Sequence, residues 1–221
     1  MATDTPLGLL ELFSDFLDDN ATLTETVASS ATQDVMTLHG GWMRQTLAGD
    51  DADATLIAGE RAFEIDEGGT TSFEVRLKTS DSSKSAIFVG FTDNNAESGG
   101  VVYENEDGTI NSVATDLVGF LLEGERDETW NGVGTQNDTD NTAQALTGST
   151  DAADATIQTL RMELNANDSG TARYYVDGAL ESTKTSWFRS SIVYAPCVSS
   201  DDRGTAYTTD IDYIYTSSGR S

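Results

Sequence analysis

Strict alternation of apolar and polar residues is the feature that most constrains the fold of this chain. The segment 72–78 reads SFEVRLK, so apolar side chains fall on one face and charged ones on the other. Leu160, Met162 and Leu164 repeat the pattern later in the chain. A period of two belongs to β-strands with one solvated face, and such strands are usually antiparallel. The sequence therefore predicts antiparallel sheets.

Two further runs, Ala86–Phe91 and Leu117–Leu122, are apolar at consecutive positions, which is typical of central strands enclosed between two layers. The dipeptide Asp177-Gly178 separates two β-like segments and predicts a hairpin, because it accommodates the positive φ of a type I′ turn. About a dozen short strands separated by polar turns predict a sandwich or barrel rather than a strand–helix repeat.

The last predicted strand runs from Tyr207 to Tyr215. Simple alternation places Tyr213 and Tyr215 on the same side as Ile211, with Asp210 and Asp212 on the other side. The outward face of this strand is therefore expected to be acidic.

The N-terminal region carries the one plausible helical pattern. We divide the chain into an N-terminal extension, 1–34, and one β-sandwich domain, 35–221, because no repeat or Pro-rich linker separates further units. Pro6 stands where a first helical turn would begin. Either a short amphipathic helix or an extended lead-in that covers one end of a sheet fits the pattern, and we expect the helix. Its apolar residues are Leu9, Leu10, Phe13, Phe16 and Leu17.

The charge of the chain excludes several classes of partner. Twelve Lys and Arg against 38 Asp and Glu give a formal net charge of −26. Nucleic acids and anionic membrane surfaces both require a cationic protein surface, so we expect neither as a partner. At molar salt the Debye length falls to about 3 Å, which removes most of the self-repulsion. The composition therefore indicates a very salty medium, although acidity can also serve solubility alone.

The number of cysteines and the length of the apolar runs exclude several further classes of protein. Cys197 is the single cysteine, so neither an internal disulfide nor a thiol-based zinc cluster can form. The first residues include Asp4 and Glu11 and no basic residue, so we expect no secretion signal. The longest apolar runs are too short to span a bilayer.

Seven segments follow one another between residues 63 and 215: Phe73–Leu77, Val89–Thr92, Asp116–Leu121, Trp130–Gly134, Thr159–Glu163, Ala172–Gly178 and Ile211–Tyr215. Their order resembles that of the concanavalin A-like jelly-roll proteins among the virion structural proteins of tailed viruses. The resemblance implies an all-β, antiparallel two-sheet jelly roll that serves as capsid decoration (cement) or as part of a head spike. With the salt signature, it implies a virus of a halophilic host.

The resemblance also implies partners and a location. We expect the major capsid protein as the partner, a position on the capsid exterior, and a homotrimer at a local threefold axis. A carbohydrate-binding, lectin-like module is the alternative function, and a glucanase is the third. We expect no cofactor.

Catalytic sites have weak candidates. A retaining glucanase of this fold places two Glu and one Asp on one strand, and the fragment Glu64-Ile65-Asp66-Glu67 is suggestive. Gly68 and Gly69 occupy the places where the second Glu would be needed, so the fragment more simply ends a strand. His39 is the single histidine and precedes Gly40-Gly41, which indicates a turn histidine. We therefore predict that the protein is not an enzyme.

Oxygen-rich loops are candidates for binding calcium or another hard cation. The strongest candidates are Asp93, Asn95, Asp138 and Asp140. No segment has the full spacing of an EF-hand loop, and acidic loops arise readily in a chain so rich in Asp.

Aromatic residues in polar surroundings indicate partner contacts. Trp187 and Phe188 precede Arg189, and Trp and Arg are common interface anchors. Capping of one open end of the sandwich is the alternative role of Trp187. With the N-terminal residues Leu9, Phe13 and Phe16, these two are the predicted contacts with the capsid.

Overall fold

The computed structural model describes residues 3–4, 9–17, 23–36, 41–50, 53–65, 69–96, 102–104, 110–141, 144–146, 151–167 and 170–219. Within them, no helical segment has the length and apolarity needed to cross a membrane. The strands are β1 (Thr3–Asp4), β2 (Leu9–Ser14), β3 (Thr24–Ala28), β4 (Thr32–Met36), β5 (Trp42–Leu47), β6 (Ala54–Ala58), β7 (Phe63–Glu64), β8 (Thr70–Thr79), β9 (Ala86–Thr92), β10 (Val102–Glu104), β11 (Ile110–Ser112), β12 (Leu117–Glu123), β13 (Trp130–Gln136), β14 (Thr139–Asp140), β15 (Gln144–Ala145), β16 (Gln158–Asn165), β17 (Thr171–Val176), β18 (Ala179–Lys184), β19 (Val193–Asp201) and β20 (Tyr207–Gly219).

The strands form two large sheets and one small ribbon. Sheet I has the spatial order β1-β2-β20-β8-β16-β17-β18, with β5 beside β20 and β4 beside β5. Sheet II has the order β14-β13-β12-β9-β19-β6-β3, with β15 beside β13 and β7 beside β19. The ribbon consists of β10 and β11, and the central pairings of both sheets are antiparallel.

The two sheets pack face to face through the side chains that alternation places inward. Val75 and Leu77 of sheet I and Val89 of sheet II are each at most 1% exposed. The rings of Phe120 in sheet II and Tyr174 in sheet I meet edge to face, with centroids 5.1 Å apart. Such contacts bury most of the apolar surface and stabilise the sandwich. The predicted antiparallel two-sheet sandwich is confirmed.

The central strands of sheet II are buried on both faces. Every residue of β9 and of β12 is buried, as their unbroken apolar runs predicted. Inward residues such as Val118 join the main core, whereas outward residues such as Leu121 join a second apolar cluster. Sheet II is therefore the middle layer at this point.

The predicted hairpin is confirmed. β17 and β18 pair with Val176 opposite Ala179, and Asp177 and Gly178 have φ values of 49° and 82°. Positive φ at both central residues is the requirement of a type I′ turn. The Asp177 carboxylate also accepts a hydrogen bond from the Thr159 amide at 2.8 Å, which ties the turn to the neighbouring strand.

The prediction of an N-terminal amphipathic helix is wrong. Residues Leu9–Ser14 form β2, which pairs antiparallel with the end of β20 from Ile214 to Gly219. Leu10 and Leu12 point into the core, and Phe13 points outward with 60% of its surface exposed. The backbone hydrogen bonds to a strand more than 200 residues away in the chain outweigh the local helical spacing. This segment is part of the sandwich.

Substitutions on β2 distinguish a strand from a helix. We expect Leu12→Ala to lower the free energy of unfolding by about 2–4 kcal/mol, because Leu12 is buried. Phe13→Ala should cost less than about 1 kcal/mol, because Phe13 is exposed. Urea unfolding in molar salt measures both values. Equal costs for the two variants would contradict the strand register.

Candidate functional site

The outward face of sheet I carries ion pairs in which the cation lies above the carboxylate. Nε and Nη2 of Arg44 donate to the Asp210 carboxylate at 2.6 and 2.8 Å, and Nη1 of Arg76 donates to Asp212 at 2.6 Å. The Arg44 and Arg76 side chains are 40% and 42% exposed, but those of Asp210 and Asp212 only 4% and 20%. This arrangement presents the cations to the surroundings.

A second group on the same face repeats the arrangement. Arg161 pairs with Glu163 two residues along β16, and the Tyr175 hydroxyl donates to Glu163 at 2.9 Å. The guanidinium lies over the Tyr175 ring, 5.3 Å from its centre, which is within cation–π range. Burial and the hydrogen bond to Glu163 raise the pKa of Tyr175, so its hydroxyl stays a donor.

Aromatic side chains fill the space between these groups. The Tyr213 hydroxyl donates to Glu74 at 2.6 Å, and the Tyr213 ring lies 6.2 Å from the ring of Phe13. Nζ of Lys78 lies 5.3 Å from the centre of the Trp42 ring. We call this surface the cation–aromatic face. It comprises Arg44, Arg76, Lys78, Arg161 and Arg173 with Phe13, Trp42, Tyr175, Tyr213 and Tyr215.

Asp210 and Asp212 lie on the outward face of the last strand as expected, but the side expected for Tyr213 and Tyr215 is wrong. A β-bulge between Ile211 and Tyr213 shifts the register of β20 against β8. Beyond the bulge, Ile214 points inward, and Tyr213 and Tyr215 point outward. A one-residue shift exchanges the two faces of a strand, so the aromatic residues reach the surface.

The outward face of sheet II, in contrast, is sealed by apolar contacts. The residues Phe88, Leu121, Val133 and Cys197 are each at most 1% exposed and form a second core beneath the ribbon. Ile110 of the ribbon belongs to the same cluster. Ile110 and its neighbours thus cover the middle of this sheet.

A retaining glycosidase needs two carboxyl groups about 5–5.5 Å apart beside the substrate, so the residues on the outward side of β12 and in the fragment 64–67 are the ones to compare. The outward positions on β12 are Leu117, Gly119, Leu121 and, at its end, Glu123. Of the suggestive fragment, Glu64 is exposed on the two-residue strand β7, where it pairs with Val193. Residues 66 and 67 lie outside the described residues.

Loops at one end of the sandwich bring two predicted cation ligands together. Asp93 and Asp138 both lie near Asp116, which is 1% exposed. Burial raises the pKa of Asp116, and the charges of Asp93 and Asp138 raise it further. Nε of Arg189 lies 3.5 Å from the Asp116 carboxylate, so a side chain supplies positive charge at this point.

The other two predicted cation ligands have separate partners. Asn95 donates to the Gly59 carbonyl at 3.3 Å, and Asp140 accepts a hydrogen bond from the Thr135 hydroxyl. Across the part of the chain that the structure describes, no group of three or more His, Cys, Asp or Glu side chains is arranged to hold a metal ion.

Trp187 and Phe188 do not have the exposure that we expected of partner contacts. They are 6% and 4% exposed, and Phe16 is 1% exposed. Trp187 packs between the sheets, where a Cβ added to Gly132 would lie 3.5 Å from its ring. The absence of side chains at Gly132 and Gly134 of β13 makes room for the indole, which fits the alternative role of closing one end of the sandwich.

The remaining sequence candidates lie in different places. Leu9 is in β2, and Phe13 is the exposed member of the N-terminal set. Cys197 is fully buried, and burial raises the pKa of its thiol, so it is unreactive. His39 lies outside the described residues.

The end of the sandwich opposite Asp116 holds a buried ion triad. Nη2 of Arg203 donates to Glu123 at 3.0 Å, and its Nη1 lies 3.3 Å from Asp201. The Glu123 and Asp201 side chains are 3% and 13% exposed. Burial raises the pKa of Glu123, and it raises the pKa of Asp201 to about 6, while Arg203 acts against both shifts.

Replacing the central cation of this triad should give a loss of stability that depends on pH. Without Arg203, the pKa values of both buried carboxyl groups rise further above their unfolded-state values. The folded state is then favoured below about pH 4, where both groups are protonated, and loses stability as the pH rises through the folded-state pKa values. We expect Arg203→Met to cost about 3–5 kcal/mol at pH 7.5 and clearly less at pH 5.

Urea unfolding at the two pH values measures this difference. Arg203→Lys keeps the positive charge and serves as the control, with a smaller change between pH 5 and pH 7.5. An Arg203→Met loss that is equal at both values would show that packing, not charge, accounts for the role of Arg203.

Comparisons with known proteins support the fold. No protein-family model and no curated protein matches the sequence. Solved structures do match: a protein of unknown function from Shewanella oneidensis MR-1 has 13% identity and a TM-score of 0.64, covering 98% of this chain and 89% of that chain. A Bacillus licheniformis β-glucanase has 14% identity and a TM-score of 0.63, covering 96% and 98%. The carbohydrate recognition domain of Emp47p has 11% identity and a TM-score of 0.63, covering 98% and 97%. The chain is therefore a concanavalin A-like jelly-roll sandwich.

Little in the sequence indicated that the residues of the cation–aromatic face would lie together. Arg161 and Arg173 could be placed on polar strand faces beside Glu163 and Tyr175, as cross-strand pairs. That Arg44, Arg76 and Tyr213 would join them depends on which strands flank β20 and on its bulge. The alternation of apolar and polar residues on β8 and β16 was the sequence signal that their charged residues point outward.

Proposed function

We propose that this protein is a non-enzymatic virion structural protein, a capsid decoration or head-spike component of a tailed virus adapted to high salt. The observation that carries the proposal is the sealed outward face of sheet II. Leu117, Leu121 and Phe88 on this face are buried in one apolar cluster with Ile110 of the ribbon. A face closed by apolar packing in this way is suited to mechanical support.

Two further features support this proposal. The order of strand segments resembles that of virion jelly-roll proteins, and the net charge of −26 suits a concentrated salt solution. A protein that binds the assembled shell and not its dissociated subunits stabilises the assembly by mass action. No catalytic step is required for that role.

The N-terminal segment presents apolar side chains for such attachment. Phe13 and Leu17 are 60% and 64% exposed, the two most exposed large apolar side chains among the described residues. Leu17 lies beside Gly41, where a Cβ would come within 2.8 Å of it. Phe13 belongs to the cation–aromatic face, and a homotrimer on the capsid exterior remains part of the proposal.

Immunogold electron microscopy tests the location. We expect antibodies against this chain to label the outer surface of purified tailed particles. Particles from a virus lacking the gene are the control and should stay unlabelled. Antigen found only in the soluble fraction of the host lysate would contradict the proposal.

Carbohydrate binding is the second candidate function, favoured by one specific observation. A pocket of about 340 Å³ opens at the Asp116 end of the sandwich, between Gln136, Gly170 and Arg189. An aromatic ring with a few polar groups is a common composition for a small-ligand pocket, and Phe188 forms part of this wall.

A glycan array in molar salt distinguishes the two candidates. The structural role predicts no selective binding above background, because the pocket is then only a gap between loops. Selective binding that Arg189→Gln lowers by about tenfold or more would favour the lectin role. Arg126→Gln, in a turn elsewhere, is the matched control for the loss of one positive charge.

A further inference from the structure

We propose that the cation–aromatic face of sheet I is the docking surface for the shell, and that its occupant is an acidic, carboxylate-bearing protein surface. This inference rests on the proposed function and names the surface and chemistry through which it would operate. The inference rests on the relative exposure of the charged groups on sheet I: the cations are more exposed than the carboxylates that they contact.

The same order of exposure recurs in four ion pairs of the face. Arg44, Arg76 and Arg161 are 40%, 42% and 43% exposed, while the carboxylates that they contact are 4%, 20% and 21% exposed. Lys78 repeats the order, with 33% exposure above Asp210. Asp34, which pairs opposite Arg44, is exposed, so the margin of the face at β4 is not cationic. Around Arg76 and Arg161, the cations are more exposed than the carboxylates that they contact.

The concentration of basic residues on this face is the second argument. Five of the chain's twelve Lys and Arg residues belong to it, although sheet I's outward side is only one part of the surface. An anionic protein can approach an anionic partner closely only where cations lie between them. The face provides that place, and carboxylates are the groups that guanidinium binds in two-pronged geometry.

Aromatic residues give the face the composition of an interface. Tyr, Trp and Arg are enriched at the centres of protein–protein contacts. Here Tyr213 is fixed by Glu74 at 2.6 Å and Trp42 lies under Lys78, so both rings are already oriented. Each guanidinium has five N–H donors, more than its carboxylate occupies, so the face favours a partner rich in acceptors. Nucleic acid also offers acceptors, but its negative charge is far denser than that of an acidic protein, so a chain with a net charge of −26 repels it more strongly.

Binding of charge-matched variants to shells assembled without this chain tests the proposal. Arg76→Gln with Arg161→Gln removes two cations from the face, and Arg61→Gln with Arg126→Gln removes two exposed cations from elsewhere. Both double variants have the same net charge, so a difference in their binding shows that the position of the lost cations matters. In 1 M KCl we expect at least about tenfold weaker binding for the first and less than about twofold change for the second.

Two further binding measurements show which groups account for any change in affinity. Arg76→Lys with Arg161→Lys keeps the charges but not the guanidinium geometry, so it should bind about threefold to tenfold more weakly than the parent, and it replaces the Gln pair in the test if that pair unfolds on a thermal melt. Amidation of carboxylates on the shells should abolish binding of the parent. Equal binding of the two Gln pairs overturns the docking face, and binding that survives amidation overturns the acidic occupant.

The outcomes also separate this inference from the proposed function. A parent protein that binds no shell at all contradicts the proposed function, and this inference fails with it. A parent that binds shells through another surface contradicts only this inference. Binding to soluble alginate, with the same loss in the first Gln pair and no binding to shells, would assign the face to an anionic polysaccharide and overturn the proposal.

Discussion

The burial of both faces of two central strands is the constraint on which the rest of the structure depends. β9 and β12 are apolar at nearly every position, so water must be excluded from both sides of sheet II. Sheet I covers one side, and the β10–β11 ribbon contributes to the cover of the other. Gly90 and Gly119 stand opposite each other, where a Cβ on either would come within 2.3 Å of backbone oxygen. The middle of sheet II is therefore closely packed, whereas the outward face of sheet I carries charged and aromatic side chains.

The many aspartates have structural roles besides any adaptation to salt. Asp53 accepts hydrogen bonds from the amides of Ser30 and Ala48 at 2.8 and 2.7 Å, and Asp202 accepts one from Gly49 at 2.6 Å. Burial opposes ionisation of Asp53, but these bonds lower its pKa overall, so they stabilise the fold above the unfolded-state pKa and are lost as the pH falls. Short carboxylates suit such loops because they reach neighbouring backbone amides. Acid enrichment therefore argues for salt less strongly than the scarcity of Lys does.

Local patterns predicted the elements whose partners are near in sequence or whose faces are uniform. The alternation of β8 and β16 and the Asp177-Gly178 turn follow directly from the residues. Two predictions failed because distant contacts decide them. The segment 9–17 has helical spacing, but β20 offers it a free edge, and the bulge after Ile211 brings Tyr213 and Tyr215 to the outward face. The burial of Trp187 depends on the space left by glycines in β13, and the periodicity of a sequence does not show which distant side chain fills such space.

The hydrogen bonds that fix the side chains of the cation–aromatic face explain how an anionic sandwich could bind a partner without catalysing a reaction. Long side chains lose about 0.5–1.5 kcal/mol each when docking immobilises them. Arg44 is already held by two bonds to a buried carboxylate, and Tyr213 by one to Glu74. That ordering occurs during folding, so a partner meets guanidinium donors and an aromatic ring that are already positioned. The carboxylates beneath thus do more than balance charge: they hold the cations outward, and the length of β20, from Tyr207 to Gly219, ties these groups to one rigid strand.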